Sequence, residues 1–447
     1  MAEAISRLQG EWQVQSGAEL VVHSVTGADL LSYDKLHSDA VIVPSHMAGP
    51  LVELGWVKPL PQSLATASSG DWTEVFELLR QREATWGSQV IAVPFGSPVF
   101  VVYYRPDLLQ KLRRNVPKTW TEYQSLAEAL SNPQSLEINP VEGGAWSGTL
   151  EPLGPGWAGL TLLARAAAYA KHPSNYSTVF DIRTMEPLVG GPPFVRALEE
   201  LVAVAQQGSA EQLMYSPDDV RRAFWSGQCG MAITWPTAAD SATSLKRRVM
   251  ATEEGETEAP LTVAEGVTVA FAELPGSPEV FDVGSRTWSR REGDEVHVPL
   301  VSISGRVGIV SAGSQHSQGA RNLLMWLSSD ENSVRVSAEC SSTTLYRTQH
   351  LQDPESWLEP PAVGAAAPYA LLTERTLSRQ QSVSALPIPG RAEYLSALDE
   401  AVGRAVRREV PPREALIGVS AKWQEITERL GREKQRKAYL HSLGLSG

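Results

Sequence analysis

Helix-forming stretches and short apolar runs alternate through most of the chain, and this alternation limits the fold more than any other feature. The segment DDVRRAFWSGQCGMAITWP, Asp218 to Pro236, is one such unit. Its first half has helical spacing, with Ser216 as the predicted cap and Pro217 at the first helical position, and Gly227 stops it. A buried strand follows at once and ends on Trp235 against Pro236, which cannot continue a sheet. SDAVIVPSH is a second strand, closed by Pro44 and followed by a short helix and turn in MAGPLVELGWVKPL. In SQVIAVPFGSPVFVVYYRPDLL two apolar runs flank the breaker Pro94 to Pro98, and helix character begins after Tyr104. Thr119 stands three residues before Glu122, the spacing of a capping box, and so starts a helix. Strands alternating with helices predict an α/β protein with mostly parallel sheet, whose ligands sit at the carboxyl ends of strands.

The remaining segments fill in the pattern. The opening AEAISRLQGEWQVQSG predicts a helix closed by glycine, and AELVVHSV after it predicts a strand. GPGWAGLTLLARAAAYA and PPFVRALEELVAVAQQG are predicted helices, and SQGARNLLMWLSSDENSVRVSAE predicts a third that either runs on or breaks near Ser328. The last hundred residues are mostly helical. Residues 251–266 form an acidic, turn-rich insert expected to be a solvated loop, and 276–297 are expected to be polar and irregular.

At 447 residues the chain is long for one core, so two or more lobes are expected. Its net charge of -12 opposes phosphate backbones and anionic lipid surfaces, which argues against nucleic acid as a partner. No apolar run reaches the ~18 residues of a membrane span, and the opening residues show no basic stretch leading into an apolar one. Cys229 and Cys340 are too few for a disulfide scaffold or metal cluster; two unrelated thiols are the simpler expectation over a single bond.

No catalytic constellation is present: there is no G-x-S-x-G, no H-E-x-x-H, no phosphate-binding loop, and no histidine spacing suited to a metal. No cofactor or metal is therefore expected, and the chain reads as a non-enzyme. Thirteen tryptophans make aromatic stacking the more informative signal. Trp235, at the carboxyl end of a strand, is the first candidate for a stacking platform, and Trp157, at the mouth of a helix, is the second. Trp120 and Trp326 lie on apolar helix faces and are expected in the core; Trp225 fits either role. His46 follows a strand and is a weaker candidate, since isolated loop histidines are usually solvated.

Taken in order, VIAVPFGSPVFVVYYRPDLL, VPKTWTEYQSLAEAL, SPDDVRRAFWSGQCGMAITWP, VTVAFAELPG and GIVSAGSQHSQGARNLLMWLSSDEN resemble the extracellular solute-binding proteins of family 1, which include the maltose-binding protein. The resemblance runs from about residue 4 to about residue 430. It implies a type II periplasmic-binding fold: two α/β lobes, each a mostly parallel sheet flanked by helices, joined by a hinge. It further implies residues 1–110 and 272–328 in the first lobe, and 111–271 and 329–447 in the second. Tyr104 to Asp107 and Phe271 to Pro275 would be the crossings. The family begins with a strand ahead of the first helix, which this sequence lacks, and the inserts at 251–266 and 276–297 depart from its pattern.

By the same resemblance a small solute, with a sugar as the expected class, is held between the lobes by Trp235 and Trp157, Ser45 and His46, Ser97, Arg306 in a glycine-bearing turn, and Arg391 and Tyr394. The implied protein is a monomer, periplasmic or extracellular with lipid anchoring as one form, that hands its solute to the permease subunits of an ABC importer. Two other classes stay open at this stage: a sensory domain for a membrane receptor, and a glycan-active enzyme, which would need two carboxylates in the cleft.

Overall fold

The computed structural model describes residues 1–64, 71–138, 145–240, 261–291 and 295–445. Two sheets organise the described chain. In the first, strand Arg306–Ser311 is paired along one edge with Ala40–Pro44 and along the other with Val57–Lys58 and Val93–Pro94, all antiparallel. The second runs in the order Ser147–Leu150, Cys229–Thr234, Val101–Tyr104, Ala270–Glu273. Its 147–150 and 229–234 strands are parallel, and 101–104 is antiparallel to both neighbours.

The expectation of mostly parallel pairing therefore needs a correction, and the chain path supplies the reason. In the first sheet 40–44, 57–58 and 93–94 share a direction and 306–311 opposes them; in the second 147–150, 229–234 and 270–273 agree and 101–104 opposes them. Each reversed strand is the one that has just arrived from the other sheet. A sheet's own strands end where the two halves face each other, and an incoming strand must start there and run outward.

The passages between sheets fall at 95–100, between strands 93–94 and 101–104, and at 302–305, just before 306–311. The expected crossings at Tyr104–Asp107 and Phe271–Pro275 are displaced, because 101–104 and 270–273 both lie in the second sheet. The first passage instead begins in the breaker Phe95-Gly96-Ser97, bracketed by Pro94 and Pro98, which cannot donate to a ladder. A third passage follows helices Ser317–Leu327 and Asp330–Ser337: Leu327 and Val336 pack in the first sheet's core, Leu345 and Tyr346 in that of the second.

Several start and stop signals appear as the sequence places them. Helix Trp120–Leu130 carries the Thr119–Glu122 capping box, and helix Pro217–Trp225 is capped by Ser216 and Asp219. The helix Ala158–Ala170 is buried along its whole length, which its alanines allow because they bury no polar group and take little room. Its one charge, Arg165, is paired with Glu151 at 2.5 Å and lies 3.9 Å over the Trp120 ring.

Two expectations fail. AELVVHSV forms no strand: it has no regular structure, with Val21 63% exposed and Val25 50% exposed, and no described neighbour completes a ladder. Conversely, 276–297 is not irregular. Strands Glu279–Asp282 and Thr287–Arg290 form an antiparallel hairpin on which Trp288 packs against Phe281 and Tyr169. The acidic insert up to residue 260 lies outside the described residues. Cys229 and Cys340 are both free thiols.

Candidate functional site

Two glycines permit the passages between sheets to touch. A Cβ on Gly305 would stand 2.5 Å from Ser97 Oγ and 2.8 Å from Ser97 Cα. Gly96, at φ +108°, would put one 2.9 Å from the Thr344 carbonyl. No other residue fits either place without moving the backbone. With the glycines there, 95–100 lies against both 302–306 and 343–346, and 302–306 meets the amino end of helix Ser45–Glu53, where Ser45 N–H donates to the Gly305 carbonyl at 2.7 Å.

At the centre lies Glu83, 4% exposed. Its Oε1 accepts from Ser97 Oγ at 2.7 Å and from the Ser302 amide at 2.8 Å. Burial pushes its carboxyl up to about 7, against the pull of those hydrogen bonds and of the nearby Ser45 hydroxyl. Around it several buried polar atoms have no hydrogen-bond partner among the described residues: Glu83 Oε2, Ser45 Oγ, His46 Nδ1, Ser302 Oγ and Ser304 Oγ. Buried polar atoms are rarely left so, and a group of them in one place fits a site that binds something polar.

Cations flank this group. Arg391, at the start of helix Arg391–Val406, donates to the carbonyls of Ala385 at 2.9 Å and Ile303 at 3.1 Å. Arg306 donates to the Ser304 carbonyl at 2.6 Å. His46 is held well below the usual imidazole range, first by burial and then by Arg391 and Arg306, so it is neutral at physiological pH. Burial brings Arg391 down to about 10, with Asp399 opposing. Asp399 in turn accepts from the amides of Gly156 and Gly159, both at 2.7 Å, and so fixes the turn that presents Trp157.

Trp235 completes the arrangement. Its ring lies 5.5 Å from Phe100 and 5.6 Å from Trp157, and its indole N–H donates to the Ser341 carbonyl at 2.8 Å. It therefore joins the first passage, the mouth of helix 158–170 and the third passage. Trp235 is only 3% exposed, while Trp157 is partly open.

Of the residues singled out in the sequence, Ser45, His46, Ser97, Arg306 and Arg391 come together around the passages, with Trp157 and Trp235 at their second-sheet side. Tyr394 does not join them. It is fully buried among Phe180 and Trp423, with its hydroxyl bonded to Thr427, because it faces the helical layer rather than the passages. Trp120 is in the core as expected, Trp225 joins it with its N–H on Glu359, and Trp326 packs on Trp12 at 5.2 Å. Glu83, Phe100 and Ser302 had no mark in the sequence.

Two cavities, of about 940 and 760 Å³, lie elsewhere, on the flank of the first sheet between residues 18–25 and strand 40–44. They lack the convergent buried polar atoms of the passages, apart from Arg306 at one rim. Among the described residues no group of histidine, cysteine or carboxylate side chains could hold a metal ion, and no helix is long and apolar enough to cross a membrane.

A family profile, bacterial extracellular solute-binding protein, matches residues 32–357. No curated protein sequence matches the chain. Among solved structures, the sugar-binding protein MalE of Xanthomonas citri superposes with a TM-score of 0.67 at 16% identity, over 96% of this chain and 95% of that one. An ABC transporter solute-binding protein from Agrobacterium radiobacter, in complex with ribitol, gives 0.64 at 16% identity over 95% and 96%. Another from Thermotoga lettingae, bound with α-D-tagatose, gives 0.65 at 15% identity over 95% of each. At such identities the likeness is one of fold, the two-lobed fold of periplasmic solute-binding proteins. With two sheets joined by repeated passages, and a profile covering most of its length, the chain belongs to the family of bacterial extracellular solute-binding proteins.

Proposed function

We propose that the protein captures a sugar or polyol between its lobes, outside the cytoplasm, and as a monomer delivers it to the permease subunits of an ABC importer. The observations that carry this are the partnerless Ser45, His46 and Ser304 polar atoms at the passages and the Trp157–Trp235 pair that meets the first passage at Phe100. A polyhydroxylated solute offers hydroxyls to the first group and apolar C–H faces to the second, and lobe closure takes both out of water.

In this reading the first lobe is built on the sheet of 40–44 and 306–311, and the second on that of 101–104 and 229–234. The last helix, Arg432–Ser442, ties back to the first lobe through His441 on Glu53. Trp157 supplies the partly open stacking face, and Trp235 backs it. Arg391 and Arg306 order the passage carbonyls, leaving Ser45, His46 and Ser304 for solute hydroxyls. Tyr394 has no part in it.

Native mass spectrometry of the purified protein, followed by calorimetric titration with ribitol, D-tagatose and maltose, tests the proposal. A retained or titratable polyhydroxylated solute supports it. A protein that retains nothing and gives no heat with any of the three counts against it.

A further inference from the structure

Arg82, Lys171 and Arg291, which the solute reading does not use, gather where distant segments of the chain meet. Arg82 ends helix Glu77–Arg82, Lys171 caps the carboxyl end of helix Ala158–Ala170, and Arg291 follows strand Thr287–Arg290. Arg82 Nη1 donates at 3.3 Å to the carbonyl of Leu443, the cap of helix Arg432–Ser442. Lys171 Nζ donates to the carbonyls of Asn175 at 2.7 Å and Tyr176 at 3.2 Å. Arg291 takes the carbonyls of Ala168 at 2.7 Å and Lys171 at 3.0 Å through Nη2, and Gln381 Oε1 at 3.2 Å through Nη1. Tyr439, one turn before Leu443, joins the two sides, its hydroxyl 3.0 Å from the Oγ of Ser177, the neighbour of Tyr176.

In a chain of net charge -12 such cations have carboxylates to choose from, yet none pairs with these among the described residues. Arg82 Nε and Arg291 Nε are buried without any acceptor among the described residues, so protein acceptors run out before the guanidinium donors do. Arg82 Nη2 has no such partner either, and it is not buried. Lys171 is brought down to about 8, first by burial and then by the charge of Arg82. Burial alone lowers Arg82, and it brings Arg291 to about 10. The helix ends at Ala168–Lys171 and Leu443 offset part of this, each counting as about half a negative charge. Against the full charges of Arg82, Lys171 and Arg291, roughly two positive charges are left over.

We propose that Arg82, Lys171 and Arg291 form a binding site for a small divalent oxyanion of the phosphate or sulfate class, separate from the solute site. The left-over charge sets the valence, and donors without acceptors set the chemistry. All of these side chains are partly open to solvent, so an ion of that size reaches them from outside. It takes Arg82 Nη2 and the remaining N–H of Lys171 in charge-assisted hydrogen bonds, and so ties helix 77–82 to the carboxyl end of helix 158–170.

The test is calorimetric titration of the full chain with sodium phosphate and sodium sulfate, in a chloride buffer whose ionic strength is held constant, so that general screening does not change. One saturable site should appear with each anion. Arg82→Gln and Lys171→Met should each weaken it on the order of tenfold or more, and Lys171→Arg, which keeps the charge, should bind nearly as the parent does. Arg183→Gln, at an exposed arginine outside the group, should leave binding unchanged. Thermal melting without the anions shows which variants fold; should Arg82→Gln or Lys171→Met fail to, the other carries the comparison. A parent with no saturable site overturns the proposal, and so does a site that Arg82→Gln or Lys171→Met keeps at the parent's affinity. The outcome does not touch the solute reading, since no sugar or polyol is present.

Discussion

The Trp157 and Trp235 rings stand 5.6 Å apart, tilted by 53°, with Trp157 partly open and Trp235 covered. Their substitutions should therefore separate. Trp235→Ala removes a packed ring and leaves the Ser341 carbonyl without its donor, so we expect a loss of roughly 3–5 kcal/mol in stability. This revises the expectation from the sequence, in which Trp235 is the first candidate for a stacking platform, because the ring is covered. Trp157→Ala should melt close to the parent and weaken solute binding on the order of tenfold or more, by losing a stacking face worth about 1–3 kcal/mol. Urea unfolding and calorimetric titration on the same two variants check both.

Glu359 should be intolerant even of glutamine. Its Oε1 accepts from Tyr103 Oη at 2.9 Å and Trp225 Nε1 at 3.0 Å, and its Oε2 from the Thr237 amide at 2.9 Å. All three partners donate, so either orientation of an amide sets N–H against N–H inside the core. We expect Glu359→Gln to cost about 2–4 kcal/mol in urea unfolding. A neutral effect would mean that the network relaxes around the amide.

Gly305→Ala tests the contact of the two passages. The added methyl meets Ser97 Oγ and backbone at distances no Cβ tolerates, so either Ser97 leaves Glu83 or the passage shifts. A destabilisation of about 1–3 kcal/mol is expected, with weaker solute binding than Gly313→Ala, where nothing lies within 4 Å. Equal behaviour of the two variants would remove the argument for close approach.

How far the sequence reveals this molecule depends on how local each signal is. Caps at Thr119 and Ser216, the stop at Gly227 and the strand before Trp235 are decided within a few residues, and all appear. Strand pairing is not local: the apolar run at 101–104 looks the same whether it joins the first sheet or enters the second reversed. AELVVHSV shows the converse, a run with strand composition that lacks a described neighbour to pair with. Of the residues that the family resemblance implies for the site, Ser45, His46, Ser97, Arg306 and Arg391 lie together at the passages, His46 being marked also by its place after a strand, whereas Tyr394 lies in the helical layer. Glu83 was missed because RQREATWGSQ reads as an ordinary charged helix end; its burial follows from two passages more than two hundred residues apart in sequence meeting over it.

The pH dependence of stability should show two opposed contributions from neighbouring buried groups. Glu83 titrates near 7 when folded against about 4.5 when unfolded, so between those values the folded state holds the extra proton. Its contribution is full below the unfolded value and is lost as pH rises through about 7, a loss of roughly 3 kcal/mol. His46 behaves oppositely. Its folded value is depressed, so the unfolded chain takes up a proton first, and stability falls as pH drops below about 6.5. Glu83→Gln should flatten the decline between about pH 5 and 7, and His46→Gln should remove part of the acid-side loss. Urea unfolding across that range, on the parent and both variants, separates them. Should Glu83→Gln keep the parent's slope, the carboxyl is already ionised in the folded protein, and some cation or water must reach it.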